Sequence, residues 1–412
     1  MKVCVFTLGC KVNEVESGSF MSALKSWGAE VESRLCPADI YVLNTCAVTR
    51  EAEKKSRQLI ARARKYNPQA KIFVCGCAAE KDAAAFRAKN VSYVGGAQHK
   101  NAVLSALAEL FGAAYPCTDN EQGYENMPAP ASPRTRAFIK IEDGCNNFCS
   151  YCVIPYLRGR VRSRAPEEIV AEVAACGCPE AVLTGINISA YSYDGKGLAG
   201  LISALGGVEK RIRLGSVECG VVDEEFLTAC RNLNDFAPQF HLSLQSGSDE
   251  VLKKMNRRYT RAQYLEKCAL IYKFFPDAAI TTDIIAGFPG ETEQDFEQSL
   301  SIIGEAGFAR VHSYAFSTTE GTLAFRMKDT PHAVKEERLH RLLQAGAEAE
   351  NKFIDRNIGT VQRVIFEDME GDYTAGYTGS YIKVYCKGDL RGKVCDVRLV
   401  GRYSEGALGE LE

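Results

Sequence analysis

The chain lacks a strong charge of either sign, and it lacks any long hydrophobic run. Its 412 residues include 50 lysines and arginines against 52 aspartates and glutamates, which gives a formal net charge of −2. This balance does not indicate a surface that binds nucleic acid or membranes as a whole. No apolar run approaches the ~18 residues that span a bilayer, and the first apolar stretch, residues 3–10, ends at Lys11. We therefore expect a cytoplasmic protein without a signal peptide or a membrane anchor.

Histidine is also scarce, whereas cysteine is abundant. The five histidines show no mutual spacing typical of a metal site. The 17 cysteines are an odd number, in a chain that we expect to stay in a reducing compartment, so a full set of disulfides is not indicated. The thiols are then either small buried hydrophobic groups or metal ligands.

The first 116 residues predict a small doubly wound α/β domain. Short apolar strands at residues 2–8, 40–43 and 71–74 alternate with helical patterns such as residues 50–66, which is typical of a parallel sheet covered on both faces. Residues 117–133 then contain three acidic residues, no basic residue and several prolines. We predict that this segment is a linker.

The rest of the chain predicts two further domains, within an α/β fold class. Residues 134–356 contain six strand candidates, at about 137–141, 181–183, 212–214, 240–244, 280–285 and 311–315. Each precedes a helical pattern, so six βα units would curl into a partial barrel with its functional loops at the carboxyl ends of the strands. After a last helix at about residues 334–357, residues 357–412 alternate apolar residues with frequent glycines. This pattern predicts a small antiparallel β-barrel.

Cys145, Cys149 and Cys152 form a C-x(3)-C-x(2)-C triplet just after the first predicted barrel strand. Three thiolates within eight residues can hold three corners of a 4Fe-4S cluster. The fourth iron is then open and can chelate S-adenosylmethionine, whose reductive cleavage releases a 5′-deoxyadenosyl radical. A zinc knuckle is the alternative, but zinc usually takes four ligands, with C-x(2)-C pairs.

A second set of cysteines, Cys10, Cys46 and Cys77, follows three predicted strands of the first domain. The carboxyl edge of a parallel sheet is where ligands gather, so these thiols could meet there and bind a second cluster. The alternative is that each is a buried hydrophobic residue. Cys75 flanks the same glycine as Cys77, but a strand with period two should point only one of them at a cluster.

Several motifs resemble those of the methylthiotransferases, over residues 7 to about 325. These motifs are TLGCKVN, NTCAVT, GCAAEK, DGCNNFCSYCVIPYLRGRVRSR, LTGIN, HLSLQSGSDEVLKKMNRRYT and DIIAGFPGETEQDF. The terminal segment resembles the TRAM domain, a five-stranded barrel that binds RNA. The resemblance implies a radical S-adenosylmethionine enzyme in which one 4Fe-4S cluster, at Cys145, Cys149 and Cys152, supplies the radical. It also implies a second 4Fe-4S cluster, in the sulfur-carrying role, at Cys10, Cys46 and Cys77.

The substrate class depends on fewer residues. Lys11, Val12 and Asn13, together with Asn147 and the run at 158–164, resemble the threonylcarbamoyladenosine type of this family. That resemblance implies a tRNA methylthiotransferase that acts on carbon 2 of N6-threonylcarbamoyladenosine, next to the anticodon. Isopentenyladenosine in tRNA or a ribosomal-protein aspartate is the alternative substrate. A non-catalytic RNA-binding iron–sulfur protein is the alternative from another class.

Other candidate residues follow from the same resemblance. The substrate carries a carboxylate, and arginine offers a bidentate fork for such a group, so Arg158, Arg160 and Arg162 are candidate substrate ligands; contacts with tRNA phosphates are the alternative. The family places six residues beside S-adenosylmethionine: Tyr151, Gly185, Asn187, Ser216, Glu218 and Gln245. Polar residues at strand ends can instead cap helices. The expected partners are the tRNA anticodon stem-loop and a flavodoxin or ferredoxin as electron donor, with the enzyme a monomer that binds no membrane.

Overall fold

We obtained a computed structural model of the chain, which describes residues 1–130 and 135–412. Residues 131–134, which hold the end of the predicted linker and the predicted start of the barrel domain, lie outside the described residues. We call residues 1–116 the amino-terminal part, residues 135–356 the barrel part and residues 357–412 the carboxy-terminal part. No helix in the described ranges is long and apolar enough to cross a membrane.

The amino-terminal part is built on a five-stranded parallel sheet in the order β2-β1-β3-β4-β5. Its strands are β1 (Lys2–Thr7), β2 (Glu30–Glu32), β3 (Ile40–Thr45), β4 (Lys71–Gly76) and β5 (Tyr93–Val94). Its helices are α1 (Lys11–Ser26), α2 (Arg50–Tyr66), α3 (Cys77–Lys81), α4 (Ala83–Arg87) and α5 (Lys100–Leu110).

Strand β3 explains why this sheet is covered on both faces. All of its residues are buried, and alternate side chains of a strand point to opposite faces. Ile40 and Val42 pack into one apolar cluster, whereas Tyr41 and Leu43 pack into another. This continuous apolar strand therefore lies at the centre of a doubly covered sheet, as its sequence predicts.

The segment predicted as a linker is more ordered than its composition indicates. It contains a short antiparallel pair, β6 (Thr118–Asp119) and β7 (Glu125–Asn126). The Tyr124 side chain is buried, and its hydroxyl donates to the Lys140 carbonyl over 3.0 Å. Asn120 donates to the Ser163 carbonyl over 2.9 Å. The described part of this segment thus packs onto the barrel part, because one aromatic side chain and one amide find partners there.

Six successive parallel strands form the partial barrel. They are β8 (Arg136–Lys140), β11 (Glu180–Thr184), β14 with β15 (Arg211–Leu214, Ser216–Val217), β17 (Gln239–Leu242), β18 (Ala279–Ala286) and β19 (Arg310–Ala315). The third strand is interrupted at Gly215, where a Cβ atom would lie 2.9 Å from the Leu183 carbonyl oxygen. Its two segments belong to two four-stranded sheets, β16-β14-β11-β8 and β15-β17-β18-β19. The sheets therefore meet at this strand, and the barrel stays open between β8 and β19.

Helices alternate with the barrel strands along the chain, and the barrel part also contains short strands. The helices are α6 (Ile154–Arg158), α7 (Pro166–Ala175), α8 (Leu198–Ala204), α9 (Glu224–Arg231), α10 (Asp249–Lys254), α11 (Arg261–Phe274), α12 (Glu293–Glu305) and α13 (His332–Asn357). The short strands are β9 (Glu142–Asp143), β10 (Arg162–Ser163), β12 (Ser192–Tyr193), β13 (Lys196–Gly197) and β16 (Asp235–Phe236). Capping boxes at Thr260 and Thr292 start α11 and α12.

The carboxy-terminal part is a closed five-stranded barrel. Its strands are β20 (Val361–Glu370), β21 (Tyr373–Tyr377), β22 (Lys383–Lys387), β23 (Val394–Tyr403) and β24 (Gly406–Leu411), in the order β20-β21-β22-β24-β23. All neighbouring pairs are antiparallel except β22 and β24, which run parallel. Arg136 of β8 forms a bidentate ion pair with Glu367 of β20 at 2.7 and 2.9 Å. This partly buried contact joins the small barrel to the amino-terminal end of a partial-barrel strand.

Candidate cluster sites and the cavities between them

The Cys145–Cys149–Cys152 loop lies between β9 and α6. Gly144 opens it with a φ of +89°, and a Cβ atom there would lie 2.0 Å from the Arg160 carbonyl oxygen, so glycine is required. The amide of Ser150 donates to the Met255 carbonyl over 3.0 Å, and its carbonyl accepts from the Ala324 amide over 2.7 Å. The backbone of this loop is therefore tied to distant parts of the barrel.

Two polar side chains contact the thiols of this loop. Arg257 lies 3.5 Å from the Cys149 sulfur and donates to Glu218 over 2.9 Å. Asn187 lies 3.9 Å from the Cys145 sulfur. Burial, reinforced by the neighbouring thiols, raises the pKa of Cys152 to about 12. A bound cation would offset this cost, because it favours the thiolate form.

The second trio is assembled by the register of three strands. Thr7 of β1 pairs with Asn44 of β3, and Thr45 of β3 pairs with Gly76 of β4, so the three strands end at one edge. Cys10, Cys46 and Cys77 follow these ends. The prediction that they share one edge of the sheet thus agrees with the pairing of the strands.

Asn13 and Thr45 hold the three loops together. The Asn13 amide group donates to the Leu8 carbonyl over 2.8 Å and to the Thr45 carbonyl over 3.1 Å. The Thr45 hydroxyl donates to the Cys75 carbonyl over 2.6 Å and accepts from the Ala79 amide over 3.2 Å. These two side chains therefore connect the loops that carry Cys10, Cys46 and Cys77.

Packing separates Cys77 from Cys75. Cys75 is fully buried in the apolar cluster on one face of the sheet, and Cys77 belongs to the cluster on the other face. The pKa of Cys46 is raised by burial and then by the Cys77 and Cys10 thiols. Burial also raises the pKa of Cys77, and Arg158 opposes that effect. The geometry therefore favours Cys77 as the third member of this trio.

Both trios have a donor set suited to an iron–sulfur cluster. In the described part of the chain, no three His, Cys, Asp or Glu side chains converge on one metal-ion position. A cubane cluster does not require such convergence, because each cysteine binds a different iron. Each trio instead supplies three thiols from one loop or one sheet edge, and three thiolates are a donor set that leaves one iron of a 4Fe-4S cluster open.

Arg158 lies at the centre of a buried charge network between the two trios. Its guanidinium donates to Glu16 over 2.9 Å, to Asp143 over 3.1 Å and to Asn13 over 2.7 Å. Lys140 pairs with the same two carboxylates, at 3.3 and 2.6 Å. Arg158 has no exposed surface. The structure thus corrects the prediction that Arg158 binds a substrate carboxylate, because its terminal nitrogens are occupied inside the protein.

The other two candidate arginines differ from Arg158. Arg162 donates to the carbonyls of Arg158 and Arg160 over 3.0 and 2.9 Å, so it braces its own loop. Arg160 is exposed, and its guanidinium lies 4.7 Å from the Phe148 ring centroid. Arg160 is therefore the member of this run that can contact a ligand from the surface.

A cavity of about 390 Å³, here called the cluster-side cavity, is lined by the barrel cysteine loop and by the segment that follows Cys46. Its barrel wall includes Tyr151, Cys152 and Gln245, and its opposite wall includes Val48 and Thr49, just after Cys46. Its size is within the ~300–1,000 Å³ of small-molecule sites. The barrel cysteine loop and the segment that follows Cys46 therefore line one shared space.

The remaining predicted cofactor residues occupy different positions. Asn187 and Glu218 lie beside the barrel trio, as described above. Ser216 lines a second cavity, of about 490 Å³, inside the barrel, here called the polar cavity. A Cβ atom at Gly185 would lie 2.8 Å from a Glu142 carboxylate oxygen, so this glycine makes room for a buried acid. Four of the six thus line the cluster-side cavity or contact the barrel trio, directly or through Arg257, whereas Ser216 lines the polar cavity and Gly185 packs against Glu142.

Two functional candidates escape the sequence patterns. Arg257, in the MNRRYT segment, contacts the thiol of Cys149, which lies 108 residues away in sequence, and the sequence does not distinguish it from its neighbour Arg258. Glu142 is buried, its amide-facing oxygen accepts from Asn187 over 2.7 Å, and burial raises its pKa to about 8. The sequence shows that Glu142 precedes the cysteine loop, but it does not show that its carboxyl group is buried away from water.

Two family models match the chain. One is the radical SAM superfamily, over residues 139–303, and the other is the uncharacterized protein family UPF0004, over residues 2–95. Among solved structures, the radical S-adenosylmethionine methyltransferase TsrM from Kitasatospora setae has a TM-score of 0.55 at 16% identity, covering 76% of this chain and 72% of that chain. The cobalamin-dependent enzyme OxsB has a TM-score of 0.52 at 13% identity, covering 86% and 56%. These two likenesses concern the fold alone.

Curated relatives match almost the whole chain. The threonylcarbamoyladenosine tRNA methylthiotransferase MtaB of Bacillus subtilis is 36% identical, covering 98% of this chain and 95% of that protein. The protein of the same name from Thermotoga maritima is 36% identical, covering 98% and 96%. The tRNA-2-methylthio-N(6)-dimethylallyladenosine synthase of Caldicellulosiruptor saccharolyticus is 32% identical, covering 99% and 92%. With this near-complete coverage and the radical SAM match, the chain belongs to the radical SAM tRNA methylthiotransferase family.

Proposed function

We propose that this enzyme inserts a methylthio group at carbon 2 of N6-threonylcarbamoyladenosine, next to the anticodon of tRNA. The observation that carries the proposal is the cluster-side cavity, which Cys152 borders on one side and the segment after Cys46 borders on the other. Sulfur insertion needs a radical source and a sulfur source on either side of one substrate atom. A cavity lined both by Cys152 and by the segment that follows Cys46 supports that arrangement.

Cys145, Cys149 and Cys152 would hold the radical cluster, and Cys10, Cys46 and Cys77 would hold a second 4Fe-4S cluster. When bound, the first cluster and S-adenosylmethionine supply the 5′-deoxyadenosyl radical, and the second supplies the methylthio sulfur. Around them, Arg257 orients Cys149 through its contacts with that thiol and with Glu218. Asn187 orients Cys145 in the same way.

Tyr151 and Gln245 would position S-adenosylmethionine in the cluster-side cavity. Tyr151 packs edge to face against Phe288, with ring centroids 6.5 Å apart, so its ring plane is fixed. Gln245 has a φ of +75°, and its backbone bridges to Ile284 of β18. A fixed ring at Tyr151 and a fixed backbone at Gln245 favour one cofactor orientation over others at the cavity wall.

We further infer that the three parts of the chain are three domains, with the carboxy-terminal barrel contacting the tRNA stem-loop. Closed small barrels of this kind bind nucleic acid on their outer surface. The enzyme would work as a cytoplasmic monomer that receives electrons from a flavodoxin or ferredoxin.

The substrate assignment is tested with two tRNAs. The anaerobically reconstituted chain is given S-adenosylmethionine, dithionite and tRNA that carries either threonylcarbamoyladenosine or isopentenyladenosine at the same position. We expect the methylthio nucleoside from the first tRNA alone, measured by mass spectrometry of digested tRNA. Product from the isopentenyl tRNA alone would replace the proposed substrate with the alternative one. A loaded protein that forms neither product nor 5′-deoxyadenosine would indicate a binding protein instead.

A further inference from the structure

The polar cavity inside the barrel gathers positive charge. Four lysine and arginine side chains line it against two carboxylates, Glu14 and Asp283, and its histidines are His241 and His312. The four cations are Lys11, Arg136, Arg213 and Arg310. Because most of these charges can be paired within the protein, the partner of each cation decides which of them can bind an anionic ligand.

Three of the four cations already have an anionic partner. Arg136 forms the bidentate pair with Glu367 described above, and Arg213 pairs with Glu180 at 2.8 Å. Arg310 lies 3.6 Å from a Glu350 carboxylate oxygen. These ion pairs hold the three arginines in the barrel wall, so the charges of these arginines are largely neutralised within the protein.

Lys11 differs from these arginines. Within the described residues, its ammonium group has no carboxylate at ion-pair distance, and it lies 5.9 Å from the Phe138 ring centroid. Lys11 is the first residue of α1 and directly follows Cys10. Its backbone therefore lies next to a cysteine of the second trio, while its side chain lines the polar cavity.

The polar cavity and the cluster-side cavity are neighbours. Asp283 of β18 and Tyr314 of β19 line both of them. His241 lies 3.1 Å from the Asp283 carboxylate, which gives that acid a partner of its own. A ligand whose ring occupies the cluster-side cavity can thus extend a tail past these two residues toward Lys11.

We propose that Lys11 is a specificity-determining residue that binds the carboxylate on the N6 substituent of the modified adenosine. This inference rests on the proposed function, since only the threonylcarbamoyl substrate carries that carboxylate. It replaces Arg158, which is buried and paired. It also assigns the polar cavity as the subsite for the substituent, whereas the adenine ring lies between the two cysteine loops.

The test compares two synthetic anticodon stem-loops, one with threonylcarbamoyladenosine and one with its methyl ester, which removes only the negative charge. Dissociation constants are measured by fluorescence anisotropy with the full reconstituted chain at one salt concentration. We expect the native chain to bind the acid about tenfold more tightly than the ester, the scale of one charged hydrogen bond. Lys11→Met should bind the two equally, and Lys11→Arg should keep part of the preference.

The matched control is Lys25→Met, at the exposed far end of the same helix, which should keep the full preference. The acid-to-ester ratio is measured within each protein, so a general loss of affinity in Lys11→Met does not imitate the expected result. If Lys11→Met is poorly loaded with iron, Lys11→Gln replaces it in the same comparison. An unchanged preference in the loaded variants overturns the inference alone. A native chain that methylthiolates only the isopentenyl tRNA overturns the proposed function.

Discussion

The two cysteine trios are built in different ways. The barrel trio lies in one loop, over residues 145–152, whereas the second trio collects residues from 10 to 77 at the ends of three strands. The barrel loop needs a few long-range backbone bonds to hold its shape. The second trio exists only when β1, β3 and β4 have paired in register. A local loop and a set of strand ends can therefore each supply three thiols. The two sites depend on different parts of the structure.

The charges beneath the trios also differ. Glu16, under the second trio, is buried, and the cations Arg158, Lys100 and Lys140 hold its pKa well below its usual range against the effect of that burial. Glu142 precedes the barrel trio. Burial raises its pKa to about 8 and outweighs the opposing effect of the Lys140 cation. Burial thus shifts the pKa of one glutamate upward, whereas the surrounding cations shift the pKa of the other downward.

The largest expected effect is the loss of activity when a single cysteine of either trio is replaced, and the two trios should differ in which activity is lost. Cys149→Ala should abolish formation of 5′-deoxyadenosine, because it removes a thiol from the proposed radical cluster. Cys46→Ala should still form 5′-deoxyadenosine but no methylthio nucleoside. Each variant should hold about half of the roughly eight irons expected in the native chain, measured by iron and sulfide assay after anaerobic reconstitution. A Cys149→Ala protein that still cleaves S-adenosylmethionine would contradict the assignment of the trios.

The next effect concerns the stability of the network under the second trio. Arg158→Met should lower the free energy of unfolding by about 3–5 kcal/mol, because it leaves Glu16 and Asp143 with fewer buried cations. The measurement is the urea midpoint of the transition followed by far-ultraviolet circular dichroism. Arg160→Met is the matched control, since Arg160 is exposed and should change stability by less than about 1 kcal/mol. Equal effects of the two substitutions would show that the network contributes no more than a surface contact.

The opposite pKa shifts of the two glutamates predict opposite pH dependence. A carboxyl whose pKa is raised on folding stabilises the fold below its unfolded pKa, and this contribution is lost as the pH rises through the folded value of about 8. Compared with native protein, Glu142→Gln should therefore gain roughly 1–3 kcal/mol between pH 6 and pH 8. The lowered pKa of Glu16 gives a contribution that is complete above its unfolded pKa, so the effect of Glu16→Gln should stay constant over this range. The readout is urea unfolding at each pH, and parallel pH profiles for the two variants would refute the contrast.

The same contrast explains how much the sequence could predict. Helix α2 has the predicted bounds, and the six barrel strands lie within two residues of their predicted positions, because their signals are local periodicities. The barrel cysteine loop is local as well. The role of Arg158 does not follow from a local pattern. A run of arginines looks the same in sequence whether one of them is buried or all are solvated. Arg257 was missed for a related reason, because its contact with Cys149 depends on how α10 packs against the loop.

The smallest expected effect concerns the second trio and a single supporting group, the hydroxyl of Thr45. Thr45→Val keeps the shape of the side chain but leaves the Cys75 carbonyl and the Ala79 amide without this partner, which should cost about 1–3 kcal/mol. The exposed Thr118→Val is the control and should be near neutral. Because the hydroxyl connects β3 to the helix that starts at Cys77, the variant should load the second cluster less completely, while the barrel cluster and 5′-deoxyadenosine formation stay at native levels. Equal loss of iron from both trios would mean that the two sites depend on each other and not on separate supports.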